Sequence, residues 1–333
     1  MADTAVPHAR EVYDLQGQEP AEAAFEAARA RGRLHHAWLL TGPEGVGKAT
    51  FAYRAARRLL GGLNDPRFGI LGVDPEHPVV RQVAARSHPD LLVLEREGPD
   101  GKARRVIPVD DARRLGEFFS KSPASAPHRV AIVDAADDLN PNAANAILKT
   151  LEEPPPHGVL LMVSHAPGRL LPTIRSRCRR LAFQPLGVEA TAAFVRARTE
   201  MNPEEALRLA HMAQGAPGRA LQLAATNALS LDDAARELIS GLPQVDESRA
   251  LQLAESFRGG AGAAQFQLLF ERLSDRVHSL AMDRAGQGIG PLDRWADAWE
   301  TLQRLPREVE QLNLDRADAL YTALGELRRA AQT

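Results

Sequence analysis

Five runs of apolar residues stand out along the first half of the chain, each bounded by charged, glycine or proline positions. They are "HAWLLTG" at 36–42, "PDLLVLE" at 89–95, the Val130–Val133 run, "GVLLMVS" at 158–164 and "RRLAFQPL" at 179–186. Runs this short and this continuous predict strands buried on both faces. Between them the apolar positions recur at helical spacing. Residues 49–60 place Phe51, Ala55, Leu59 and Leu60 on one side, and residues 109–121 do the same with Val109, Ala112, Leu115 and Phe119. An Ala-rich, charge-alternating stretch at 20–33 also predicts a helix. So does 140–153, where Asn140 can cap, Pro141 suits the first turn and Pro154 to Pro156 block continuation. The segment 61–78 is rich in Gly and Pro and reads as loop.

Strands alternating with helices predict an α/β fold, a mostly parallel five-stranded sheet covered on both faces. After Leu186 the strand signals stop and the pattern is helical, with a break at 240–248. The expected division is 1–186 for the α/β domain, 187–242 for a small helical domain and 243–333 for a terminal all-α domain.

Length agrees with several domains, because 333 residues exceed what one core usually serves. Net charge is −2, so any nucleic-acid contact has to be local. Cys178 is the one cysteine, which excludes an internal disulfide and a cysteine-rich zinc site. The sequence has no signal-like apolar core and no run of membrane-spanning length, so the expectation is a cytoplasmic protein without membrane contact.

Candidate chemistry begins at "LLTGPEGVGKAT", 39–50. Gly42, Gly47 and Lys48 fit the phosphate-loop pattern, Gly45 lies between them, a strand enters and a helix leaves. Glycines let backbone N–H groups converge on phosphate, the helix N-terminus adds positive potential, and Lys48 would reach the outer phosphates. The next position normally carries a hydroxyl for Mg²⁺, and here it is Ala49. Thr50 is a poor substitute, since one helical step rotates a side chain by roughly 100°. Asp134 ends the third strand where such sites hold a metal-facing carboxylate. Hydrolytic sites usually follow it with a Glu that orients water, and this chain has Ala135. Asp137 and Asp138 are expected to be solvated loop or capping residues. The residues therefore point to weak ATP or ADP binding, an incomplete Mg²⁺ site and poor hydrolysis.

The segments "GRLHHAWLLTGPEGVGK", "ANAILKTLEEPPP" and "PTIRSRCRRLAF" resemble the clamp-loader branch of the AAA+ superfamily, the assemblies that serve bacterial DNA polymerase III, over about residues 17–225. The resemblance implies a P-loop AAA+ domain, a helical lid and an oligomerising collar. It implies a place in DNA replication, loading a ring-shaped sliding clamp on primed DNA together with delta and gamma/tau subunits. Gamma/tau subunits hydrolyse ATP there, beside a rigid, catalytically deficient partner whose type the losses at Ala49 and Ala135 fit. In Ser176-Arg177-Cys178, Arg177 corresponds to an arginine finger acting in trans on the neighbour's ATP. Arg175, Arg179 and Arg180 read as a solvated basic face and Cys178 as a core thiol. The resemblance makes Ser164 and His165 candidate sensors. It places the lid's sensor arginine at Gly218, one step from Arg219. It also makes Arg113, Arg114 and Lys149 candidate DNA contacts. The zinc module of some relatives is not expected, since 61–88 has no cysteine and His77 and His88 read as surface residues. The pair His35-His36 reads as structural. The competing reading is an active ATPase motor of the gamma/tau or helicase-loader type. A pure scaffold with an empty loop is the third.

Overall fold

The computed structural model describes residues 6–96, 104–259, 262–288 and 292–332. All five apolar runs become strands: β1 (Ala37–Thr41), β2 (Leu91–Glu95), β3 (Arg129–Asp134), β4 (Gly158–Ser164) and β5 (Arg179–Ala182). They form one sheet in the order β2-β3-β4-β1-β5, and every pairing is parallel. Register sets Thr41 beside Ser164 and Glu95 beside Asp134. The carboxyl ends of β1, β3 and β4 thus share one edge, where ligands of open parallel sheets bind.

The strands read as unbroken apolar runs because both faces are covered. On one face Trp38 and Leu40 meet α1 (Glu19–Ala30) and α2 (Lys48–Leu59). Phe25 packs on Trp38 and Phe51 with ring centroids 5.0 and 5.6 Å apart, and Phe51 meets Phe183 at 5.1 Å. On the other face Leu39, Val133 and Met162 meet Leu115 of α4 (Val109–Phe119), Ile147 of α5 (Pro141–Glu152) and Ile174 of α6 (Pro172–Arg177). Asn140 caps α5, its side chain accepting from the Ala143 N–H at 2.8 Å.

The span read as loop contains a 3₁₀ turn at Pro66–Phe68 and a helix, α3 (Pro78–Ala84). Both have their first N–H groups met by the side chain just before them, Asp65 and His77. Burial of Val80 and Val83 supplies the rest. His77 is therefore a cap. His88, expected at the surface, is 4% exposed, and its Nδ1 accepts from the Asp90 N–H at 3.1 Å.

Helices α7 (Val188–Arg196), α8 (Pro203–Met212) and α9 (Pro217–Ala224) follow the sheet. The chain divides into compact units at 1–222 and 223–333, a boundary inside the 187–242 segment. The second unit holds α10 (Ala228–Ser240), α11 (Glu247–Ser256), α12 (Gly262–Gln287), α13 (Asp293–Leu312) and α14 (Arg316–Ala331). Phe266, Leu269, Leu273, Trp295, Leu302, Leu320 and Leu324 are buried in it.

Histidines cluster at the opposite edge of the sheet. His36, His88 and His128 precede β1, β2 and β3, and burial lowers the pKa of each. His35 stacks on His36, His157 and Arg29 repel a charge on His128, and Asp90 partly offsets the shift at His88. In the unfolded chain these rings protonate near pH 6.5, so unfolding takes up protons below that value. Their contribution to stability is complete above about pH 6.5 and falls as pH drops through it. Asp134, whose pKa is raised to about 6, works in the opposite sense at lower pH. His165 is lowered as well and burial raises Asp275, so four rings stand against two carboxyls. Tm measured from pH 8 to pH 5 should begin to decline near 6.5, and a flat profile would contradict this.

Candidate functional site

The turn from β1 into α2 needs backbone shapes that side chains resist. Gly45 has φ +78°, and a Cβ there would lie 2.3 Å from the Arg219 backbone nitrogen. Gly47 has φ +99° and caps α2 without any side-chain bond to the helix's first N–H groups. Those groups and the helix dipole remain a phosphate-type cradle. Lys48 follows and is 3% exposed. Its Nζ donates to the Gly42 carbonyl at 2.6 Å and to the Pro43 carbonyl. Burial lowers its pKa to about 8, against the opposing pull of Asp134, Glu44 and Asp137. The ammonium is still charged at pH 7. Phosphate affinity should accordingly fall as pH rises above about 8, where an ordinary lysine would hold it beyond pH 10. Titrations of a labelled ATP analogue at pH 7 to 9 check this, and constant affinity would rule it out.

Asp134 lies at the end of β3 as expected. Burial, then the Glu95 carboxylate across the β2–β3 pair, pushes its pKa up to about 6, while His8 and Lys48 pull it back. Ala49 offers no oxygen and Ala135 is buried. The residues present fit phosphate and do not fit Mg²⁺ in the usual P-loop manner.

Asp137 is more than a solvated loop residue. It accepts from the Ser164 hydroxyl at 3.0 Å and from the N–H groups of His165 and Ala166 at 2.6 and 3.1 Å. The buried Ser164 side chain is thereby committed to Asp137, just beyond the end of β3. His165 stays at the surface beside the loop, its pKa lowered by partial burial and then by the Lys48 cation. Asp138 pairs with Arg96 at 3.1 Å. Arg219 lies in the first turn of α9 against the loop, where the Gly218 N–H donates to the Gly45 carbonyl at 2.8 Å. Gly47 meets the N-terminal segment, since a Cβ there would lie 2.5 Å from Leu15 Cδ1. That segment is tied to α2 by Arg57, which donates to the carbonyls of Arg10 and Val12, and by Arg54, which donates to that of Tyr13. Leu15 carries no chemical motif, so sequence reasoning passed over it, and Gly218 entered only as the place where a sensor arginine is missing.

Arg177 ends α6 with its side chain 36% exposed. Nη2 lies 3.0 Å from Glu152 Oε1, and Nη1 donates to the Thr173 carbonyl at 3.0 Å. Its neighbours Arg175, Arg179 and Arg180 are exposed, as a solvated basic face would be, and two of them also make contacts. The Arg179 guanidinium lies over Trp38 at 4.9 Å, and Arg180 Nε donates to Thr41 Oγ1 at 3.0 Å. Burial pushes the Cys178 thiol up to about 12, which keeps it protonated and inert.

Two of the three candidate DNA contacts come together. Arg113 and Lys149 line a groove of about 800 Å³ between α4 and α5, with Asn142, Asn145 and Thr150. Arg113 also pairs with Asp110 at 3.0 Å, while Arg114 pairs with Asp111 at 3.5 Å and is not in that lining.

A parallel sheet in this strand order, with a glycine loop and lysine leading from β1 into α2, an acidic residue at the end of β3 and a helical lid seated on the loop, defines a P-loop domain of the AAA+ class. The family model described as "DNA polymerase III, delta subunit" matches residues 17–187, just over half of the chain. A delta-prime subunit of DNA polymerase III from Pseudomonas aeruginosa is 32% identical over 279 residues, 81% of this chain and 80% of that protein. One from Bacillus subtilis is 33% identical over 162 residues, 48% of this chain and 45% of that one. The tau subunit from Escherichia coli is 31% identical over 83% of this chain, which spans 40% of tau's length. The chain belongs to the delta-prime family of clamp-loader subunits of DNA polymerase III. Among its described residues no helix is long and apolar enough to cross a membrane.

Proposed function

We propose that this chain is the non-hydrolytic subunit of a clamp-loader assembly and donates Arg177 to the ATP site of a neighbouring subunit. The observation that carries the reading is the pairing of a retained phosphate cradle with two absent groups. Lys48 and the N-terminus of α2 are in place, while the hydroxyl expected at Ala49 and the carboxylate expected at Ala135 are not. Binding of ATP or ADP is weak, rests on Lys48 and backbone N–H groups, depends little on Mg²⁺ and involves no zinc. The partners in this reading are delta and gamma/tau subunits, the sliding clamp and primed DNA. The DNA backbone would lie along the groove holding Arg113 and Lys149, with phosphate contacts that position without reading sequence. Arg114 contributes through charge alone.

The test is ATP turnover by the purified chain. The expected result is turnover at background level, unchanged by Lys48→Ala, whereas the same substitution removes residual binding of an ATP analogue. Robust turnover abolished by Lys48→Ala would instead favour the motor reading. Undetectable binding by the unsubstituted chain would favour the scaffold.

A further inference from the structure

Four arginines crowd residues 175–180, and Arg177 among them pairs with a carboxylate, that of Glu152. Glu152 is the last residue of α5, and Arg177 is the last residue of α6. Each helix is pinned to the sheet by its own buried residues, Ile147 and Leu151 in α5 and Ile174 in α6. The ion pair therefore links two fixed helix ends. A long arginine side chain samples many rotamers unless contacts select among them. Here Glu152 engages Nη2 and the Thr173 carbonyl engages Nη1, so each terminal nitrogen has a contact that selects the rotamer. We propose that Glu152 is a positioning residue for the trans-acting arginine, holding the Arg177 guanidinium in the orientation it presents to a neighbouring subunit. The proposal rests on the reading of Arg177 as that arginine.

The strength of the pair suits the task. Glu152 is 51% exposed and Arg177 36% exposed, so water screens their attraction. Such a pair biases a rotamer without competing seriously with phosphate, a more highly charged acceptor of the same fork. A deeply buried partner would hold the arginine too firmly to let it engage.

The experiment uses an assembly reconstituted from this chain and its ATP-hydrolysing partner subunits. Glu152→Gln should lower kcat for ATP by about two- to fivefold, the range set by a half-exposed ion pair, with KM and Tm unchanged. Glu152→Asp keeps the charge but is one methylene shorter, and should fall between the two. The deciding comparison is Glu152→Gln added to Arg177→Ala. If Glu152 acts through Arg177, it causes no further loss there. The proposal is overturned if Glu152→Gln is silent, if it raises kcat, or if it lowers kcat equally without Arg177. That last outcome also identifies a merely structural effect should Tm fall. Arg177→Ala alone tests the underlying reading, and normal turnover by that variant would sink the trans-acting role itself.

Discussion

Replacing Arg177 with alanine is expected to cut ATP hydrolysis at the neighbouring site it serves by about 10³-fold, the lower end of what arginine fingers contribute. The Tm of the isolated subunit should stay the same. The two halves of this expectation have different physical sources. A fixed guanidinium stabilises charge that develops on the transferring phosphoryl group, and alanine removes that cation from the neighbour's transition state. Folding depends on other atoms. Ile174 is the fully buried residue of α6, whereas Arg177 is half-exposed and its removal opens no cavity. The Glu152 pair lost with it is a surface ion pair, worth about 1 kcal/mol or less. Lysine at this position should restore little, because a point-like ammonium lacks the planar fork that grips two oxygens. A reconstituted assembly carrying Arg177→Ala or Arg177→Lys, assayed beside thermal melts, decides the matter. Normal turnover with Arg177→Ala, or unfolding of the isolated variant, would make Arg177 a structural residue.

What could be read in the sequence was what local chemistry dictates. The central strands were legible because a strand covered on both faces has to be apolar throughout, as Leu160 to Val163 are. The phosphate loop was legible because its left-handed turns at Gly45 and Gly47 admit little else. Helix α5 carried both its cap and its proline stop. Helix α3 was hidden because its start depends on a histidine cap and its seven residues sit among glycines and prolines. Contacts between distant segments were not legible. The bond from Gly218 to Gly45 uses backbone atoms alone, and Leu15 reaches Gly47 only after Arg54 and Arg57 have tied down the N-terminal segment. Asp137 looked like an ordinary loop acid because its three donors, Ser164, His165 and Ala166, lie on another strand end. Arg113 and Lys149 were candidates separately, and only the packing of α4 on α5 brings them into one groove.

Replacing Glu22 with alanine is expected to destabilise the first unit by about 3–5 kcal/mol, the cost of stranding a buried charge. Glu22 of α1 and Arg54 of α2 have side chains only 3% and 2% exposed, and Arg54 Nε lies 2.7 Å from Glu22 Oε1. The guanidinium also donates to the Tyr13 carbonyl and, at 2.6 Å, to the Phe68 carbonyl. One side chain thus joins α1, α2, the N-terminal segment and the 3₁₀ turn at Pro66–Phe68. Without Glu22 the cation stays buried with neutral acceptors alone, or the segments part and admit water. At roughly 2–4 °C per kcal/mol for a unit of this size, Tm should fall by about 6–20 °C. Replacing both partners, Glu22→Leu with Arg54→Met, removes the stranded charge. Recovery should still be partial, because the Tyr13 and Phe68 carbonyls lose their donor and an unmet buried group costs about 1–3 kcal/mol. Thermal and urea unfolding of the single and double variants measure this directly. A Glu22→Ala loss below about 1 kcal/mol would mean that water reaches Arg54 in solution and that the pair behaves as a surface contact.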